Sequence, residues 1–238
     1  MKLDILAFGA HPDDVELGCG ATIAKEIAKG KKVGIIDLTK GELGTRGTAK
    51  TRAVESSNAA DILGVSVREN LGFSDGFFIN DKQHQLDIIK VIRKYKPEIV
   101  ICNAIDDRHI DHGKGSKLVS DACFLSGLIK IETAVDDDVQ SPWRPKQVYH
   151  YIQWKNLEPD FVVDVSEFID IKMKAVLAYE TQFYDAKSKE PETPISSKNF
   201  TDSIKYRARD LGRLVGVEYA EGFTVERYLA VDSLFNLK

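Results

Sequence analysis

Short apolar runs alternate with amphipathic stretches through the first half of this chain, and that alternation leaves few folds open. Leu3–Phe8, Lys32–Leu38, Val67–Leu71 and Ile99–Cys102 read as strands. Ala21–Ala28, Ala49–Leu63, Gln85–Tyr95 and Lys114–Leu128 read as helices, with Gly30, Gly64 and Pro97 placed where three of them stop. Leu86, Ile89, Val91 and Ile92 give the third helix its apolar stripe, and Ala53, Ala60 and Leu63 serve the second. Strand and helix in turn, with short connections, predict an α/β fold: a Rossmann-like three-layer sandwich. Its sheet is mainly parallel, and right-handed crossovers put helices on both faces. The second half is less regular. Val148–Gln153 and Phe161–Val165 read as strands, and Ser166–Tyr184 as a helix with Ile169, Met173, Val176 and Leu177 inward. Asp185–Asn199, with Pro191 and Pro194, reads as a surface loop or lid. Asp202–Leu214 reads as a helix whose Lys205, Arg207, Arg209 and Arg213 form a solvated face. No composition break divides the chain, so residues 1–238 are expected to form one domain.

Two polar clusters sit where such a sheet binds its ligands, just past the ends of strands. His11-Pro12-Asp13-Asp14 follows the first apolar run, and His109-Ile110-Asp111-His112 follows Glu98–Cys102. Taken singly, each has an ordinary explanation. Asp-Asp after Pro makes turns and helix caps, and His-x-x-His occurs on polar loops. Their conjunction is more telling, because three of the five histidines of the chain fall in these two clusters. Two His and one Asp meeting at a sheet edge are the donor set of an open catalytic zinc site, with a second Asp left over for acid–base work. A dinucleotide site is excluded. Gly18-Cys19-Gly20 lacks the third glycine of the fingerprint, and Asp13, Asp14 and Glu16 would repel a pyrophosphate. A net charge of −4 argues against nucleic acid. No apolar stretch approaches the ~20 residues that span a bilayer. The opening residues lack a signal-peptide pattern, and three scattered cysteines suit reduced thiols, so a cytoplasmic location is expected.

These motifs resemble the PIG-L/LmbE family of zinc-dependent deacetylases, which act on N-acetylglucosamine conjugates. The resemblance runs through His11–Gly18, Leu38–Gly47 and the His-x-Asp-His cluster, and so covers most of the chain. Gly216–Phe223 resembles the branch that serves bacillithiol biosynthesis, whose substrate is N-acetyl-α-D-glucosaminyl L-malate. The resemblance implies that His11, Asp14 and His112 hold Zn2+, with Fe2+ accepting the same donors. Asp13 would take the proton of the attacking water. His109, charged and held by Asp111, would face the oxyanion. Arg52, Asp75 and Glu42 would serve the substrate, Arg52 by gripping a malate carboxylate. Relatives often carry a Tyr near the place of Phe200. Here Tyr184 and Tyr206 are the nearest candidates to replace it. The resemblance further implies a small amino-sugar conjugate as partner, and a homo-oligomer, hexameric or trimeric. The alternatives are a deacetylase of another substrate such as diacetylchitobiose, or a non-catalytic sugar-binding module.

Overall fold

The computed structural model describes residues 1–236, so the last two of the expected 1–238 domain lie outside the described residues. The chain runs β1 (Ile5–Gly9), α1 (Asp14–Ala28), β2 (Val33–Thr39), α2 (Ala49–Leu63), β3 (Val67–Phe73), α3 (Lys82–Tyr95), β4 (Ile99–Cys102) and α4 (Ile110–Ser126). A small antiparallel ribbon, β5 (Ala134–Val135) and β6 (Asp138–Val139), leads to β7 (Gln147–Tyr151) and β8 (Phe161–Asp164). Two helices, α5 (Ile169–Leu177) and α6 (Lys198–Val215), precede the final strand β9 (Ala220–Val225). The main sheet has the order β3-β2-β1-β4-β7-β9-β8. Its first five strands are parallel, and β9 runs antiparallel to both neighbours. The order reverses between β1 and β4, which is where an open sheet of this kind leaves a crevice at its carboxyl edge.

The period-two alternation of β1 explains the two cores. Leu6 and Phe8 join α3 and α4 on one face, through Ile88, Ile92, Leu118 and Val119. Ile5 and Ala7 join α1, α2 and α5 on the other, through Val15, Ile23, Ala59, Leu63 and Val176. Both faces are therefore covered, as the alternation of elements predicts. No helix of the described residues is long and apolar enough to cross a membrane. The three cysteines are free and buried.

Several boundaries differ from the sequence expectation, for physical reasons. The first helix starts at Asp14 rather than at Ala21, and it kinks at Cys19 (φ −146°, ψ 21°). The kink leaves the N–H groups of Ala21 and Thr22 without helical acceptors, and the Glu221 carboxylate takes them at 3.2 and 2.7 Å. Glu221 is in turn paired with buried Lys172 at 2.6 Å. Gly18 is required there, since a Cβ would fall 2.1 Å from the Tyr151 ring. The helix expected over Ser166–Tyr184 is only Ile169–Leu177, and Leu177 is exposed while Ile169 and Val176 are buried. In α2 the inward stripe is Arg52, Glu55, Ser56, Ala59, Ala60 and Leu63, and Ala53 faces out. Half of that stripe is polar, so an apolar pattern does not find it. Strand β9 is the one large element the sequence reading lacks. Its Ala-Glu-Gly-Phe-Thr-Val carries a buried acid that looks like a solvent residue until its partners are seen.

A buried ion network locks α1 to the sheet. Arg68 grips both oxygens of Asp37 at 2.8 Å, and its Nη1 donates to Glu16 at 2.5 Å and to the Ser56 carbonyl at 3.2 Å. The Tyr179 hydroxyl closes the ring by donating to Glu16 at 3.0 Å. Burial pushes the Asp37 carboxyl up, and Arg68 opposes it. Removing the cation strands two buried carboxylates. Arg68→Ala is therefore expected to cost about 3–5 kcal/mol of stability, measured by denaturant unfolding. A loss below about 1 kcal/mol would mean that water replaces the guanidinium.

Candidate active site and metal centre

The carboxyl ends of β1, β4 and β7 converge on Asp14. Its Oδ2 accepts the backbone N–H of His11 at 2.9 Å and the Asn103 amide at 3.0 Å, and its Oδ1 accepts the Gln153 amide at 2.7 Å. Asn103 also ties the two strand ends together, through its Oδ1 and the N–H of Ala10 at 2.8 Å. His11 Nδ1 lies 3.5 Å from Asp14 Oδ2, and His112 Nε2 lies 3.2 Å from Asp14 Oδ1. Ligands at 2.0–2.2 Å around a tetrahedral ion stand roughly 3.3 Å apart, so these contacts have the spacing a bound cation needs.

The far nitrogens of the two histidines are also engaged. His112 Nδ1 meets Asp107 at 2.6 Å, and His11 Nε2 meets Asp75 at 3.0 Å and Asp111 at 3.4 Å. A carboxylate behind each imidazole fixes the tautomer that presents a lone pair forward, as the outer shell of a metal site does. The donor set therefore fits a zinc or iron(II) ion. Further donors lie around the His11 ring. Nitrogens of His11, His109 and His112 lie within 4.8 Å of one another, and so do donor atoms of His11, Asp75 and Asp111.

The electrostatics agree with a cation site. Asp13, Asp14, Asp75, Asp107 and Asp111 are all buried around these imidazoles. Burial disfavours charge on His11, but Asp111, Asp14 and Asp75 hold its pKa well above the usual value. Burial likewise works against His112, yet Asp14 and Asp107 carry it up to about 9. Asp14 resists its own burial and is held well below the carboxylate range by His112 and His11. Protons and a metal ion compete for the same imidazole lone pairs in such a field.

Asp13 stands beside the donors without joining them. It occupies the left-handed region at φ 110°, where an Asp is tolerated but strained, so the backbone gives up stability at this point. Burial pushes its carboxyl up to about 7, against the pull of Arg52. A carboxyl poised there can both accept and return a proton near neutrality.

The contacts differ from several of the expected roles. Asp111 does not hold His109 with its carboxylate, which serves His11, the Gly76 N–H at 2.7 Å and Lys114 at 2.5 Å. Instead the Asp111 backbone N–H donates to His109 Nδ1 at 3.2 Å. Burial, with His11 and His112 nearby, brings the His109 pKa down, against the charged form expected, and with Nδ1 accepting the Asp111 N–H it is Nε2 that is left to donate. Arg52 is held at one end of its guanidinium, while its buried Nε, at the cavity wall, has no partner among the described residues. Its Nη2 is bound to Asp13 Oδ2 at 2.6 Å and to the Pro12 carbonyl at 3.1 Å. Gly41 (φ 62°) allows this close approach, since a Cβ would lie 2.0 Å from Arg52 Nη1. Asp75 orients His11 and accepts the Leu43 N–H at 2.9 Å, while Glu42 only braces the loop by accepting the Asp75 N–H at 2.9 Å. No Tyr hydroxyl lines the cavity among the described residues. Tyr184 and Tyr206 lie outside it, and Phe200 is on its wall between Trp154 and Phe183.

The cavity over this centre measures about 440 Å³. Its lining includes His11, Asp13, Asp14, His109, His112 and the buried, unpartnered Oε1 of Gln153. The stretch expected to be a lid lies over one side and is pinned. Arg46 donates to the carbonyls of Pro191 at 2.6 Å and Glu190 at 3.3 Å. Asn103, Asp107 and Gln153 are site residues that sequence reasoning does not single out. Each lies within a few residues of a strand end, but an amide or acid in a turn carries no signal of its own.

A metal-type donor cluster with a spare carboxylate, at the switch point of a parallel sheet, has the parts that metal-assisted attack of water on a substrate uses. Comparison with known proteins narrows the class. The family model of the GlcNAc-PI de-N-acetylases, PIG-L, matches residues 6–123, and this chain belongs to that family. A conserved protein of Thermus thermophilus is 36% identical, with a TM-score of 0.85 over 97% of this chain and 98% of that one. The diacetylchitobiose deacetylase of Thermococcus kodakarensis is 29% identical over 92% of this chain and 81% of its own length. The mycothiol S-conjugate amidase of Streptomyces coelicolor is 24% identical over 76% of this chain and 83% of its own.

The carboxylate behind His112 provides a test of the metal centre. Asp107→Ala is expected to weaken metal affinity about 10–100-fold, read by competition with a chromophoric chelator. Unchanged affinity would remove Asp107 from the site.

Proposed function

We propose that the protein is a zinc-dependent deacetylase of N-acetyl-α-D-glucosaminyl L-malate. The observation that carries the hydrolytic reading is the placement of Asp13. It adjoins the His11–Asp14–His112 nest and is buried, and among the described residues its carboxylate is paired with Arg52 alone. A pure binding site has no use for a strained, partly neutralised carboxylate at that point. The malate conjugate is supported by the resemblance of Gly216–Phe223 to the bacillithiol branch.

In this reading His11, Asp14 and His112 hold the ion. A zinc ion there supplies a Lewis acid for the acetyl carbonyl and acidifies the attacking water. Asp13 takes the proton of that water as it adds to the amide carbon. Arg52 keeps the Asp13 carboxylate aimed and available. His109 donates its Nε2–H to the oxygen that gains charge. Asp13 then returns the proton to the amine nitrogen as the C–N bond breaks, giving acetate and a free amine. Asp75, Asp111 and Asp107 hold the imidazoles in place throughout.

The likeness to a diacetylchitobiose deacetylase favours a second reading, in which the acetylated sugar is a chitooligosaccharide. Release of free amine decides between them when the malate conjugate, N-acetylglucosamine and diacetylchitobiose are compared. Preference for the malate conjugate is expected, and turnover of the other two alone would discard it. Asp13→Asn is expected to retain the metal and lower kcat by about 10²–10⁴-fold. Undiminished turnover with metal bound would rule out Asp13 as the base.

A further inference from the structure

Four cationic side chains line the cavity: Arg52, Arg108, Lys172 and Arg207. Two are neutralised within the protein, Arg52 by Asp13 and Lys172 by Glu221, each at 2.6 Å. The other two have no carboxylate partner among the described residues, and both converge on Trp154. The Arg108 guanidinium lies over the Trp154 ring, 4.6 Å from its centroid. Arg207, half-buried, donates one N–H to the Trp154 carbonyl at 2.5 Å. The ring is itself stacked on Phe200 at 5.3 Å and 18°, and Phe200 on Phe183 at 6.2 Å and 3°, so a row of stacked rings backs the wall that carries both cations.

An unpaired, half-buried guanidinium is costly, and burial lowers the pKa of Arg207 accordingly. Asp107 opposes that shift in part through its charge, but it makes no ion pair with Arg207. Asp107 already accepts His112 Nδ1 and the N–H groups of Arg108, Trp154 and Lys155. The cost is offset if a bound molecule brings an anion. Arg108 adjoins His109 in sequence, so this wall is continuous with the reaction centre. An Arg held flat on an aromatic ring keeps its planar fork free for an oxyanion.

We propose that Arg108 and Arg207, mounted on Trp154, form a subsite for an anionic group, carboxylate or phosphate, carried by the substrate beside its acetylated sugar. This inference rests on the deacetylase reading and assigns the specificity of the site to residues other than Arg52. A neutral chitooligosaccharide leaves both cations unpaired. An acidic glycoside pairs them.

The test compares three substrates of the metal-loaded protein: N-acetylglucosaminyl malate, N-acetylglucosamine 1-phosphate and neutral methyl N-acetylglucosaminide. The expected result is that at least one anionic glycoside is preferred over the neutral one by about 10-fold or more in kcat/KM. Whether the malate or the phosphate leads names the anion. Arg207→Gln and Arg108→Ala should each raise KM for the preferred glycoside by about 10-fold or more, well beyond their effect on the methyl glycoside. Arg213→Ala, on the outer side of α6, should leave the preference intact. Equal turnover of all three by the native protein, or an unchanged preference in both variants, overturns the subsite and leaves the deacetylase standing. Calorimetric titration with the free-amine product, glucosaminyl malate, reads the subsite without turnover. Binding lost in both variants supports it even if no glycoside is hydrolysed, which would sink the deacetylase reading alone. Binding equal to native in both variants overturns it.

Discussion

One carboxylate holds the architecture of the site together. Asp14 is the first residue of α1, yet it takes hydrogen bonds from the turn after β1, from Asn103 beyond β4 and from Gln153 beyond β7. Three strand ends and a helix start are therefore fixed relative to one another by a single side chain. Both imidazoles that face it inherit that placement. A buried anion with this many donors is tolerable because neutral amides supply some of them and cationic or metal-bound groups supply the rest.

Around that point stability has been given up for position. Asp13 sits in a strained backbone region, α1 is broken at Cys19, and five carboxylates are crowded below the cavity. Each cost is matched by a specific partner. Arg52 answers Asp13, Glu221 answers the broken helix, and the Arg68 fork answers Glu16 and Asp37. The result is a centre whose charge pattern is set by burial and whose geometry is set by the sheet edge, so neither depends on a mobile loop.

The parallel half of the fold is legible in the sequence because its signals are local. Apolar runs, amphipathic stretches and helix stops each read within a short window, and the two polar clusters declare themselves by standing at strand ends. Roles that depend on distant partners are not legible. Asp111 and Arg52 lie beside the centre, but the atoms they touch belong to remote segments, His11 for the one and Asp13 for the other. Arg207 reads as part of a solvated face because its helix is basic all along; only the packing of α6 over Trp154 turns it inward. Strand β9 escapes notice for the same reason, since Glu221 looks like a surface acid until Lys172 and the kinked helix are seen beside it.

That last contact carries a consequence for how the chain is made. The carboxylate that satisfies the break in the helix that opens the site lies 200 residues after Ala21. Strand β9 must also slot between β7 and β8, both of which precede it. The nascent parallel sheet thus waits, with its reactive corner unfinished, until β9 has emerged. Completion of the centre is thereby coupled to the synthesis of β9, and a chain made only as far as α6 holds the His-Pro-Asp-Asp turn above a helix break that Glu221 has yet to reach.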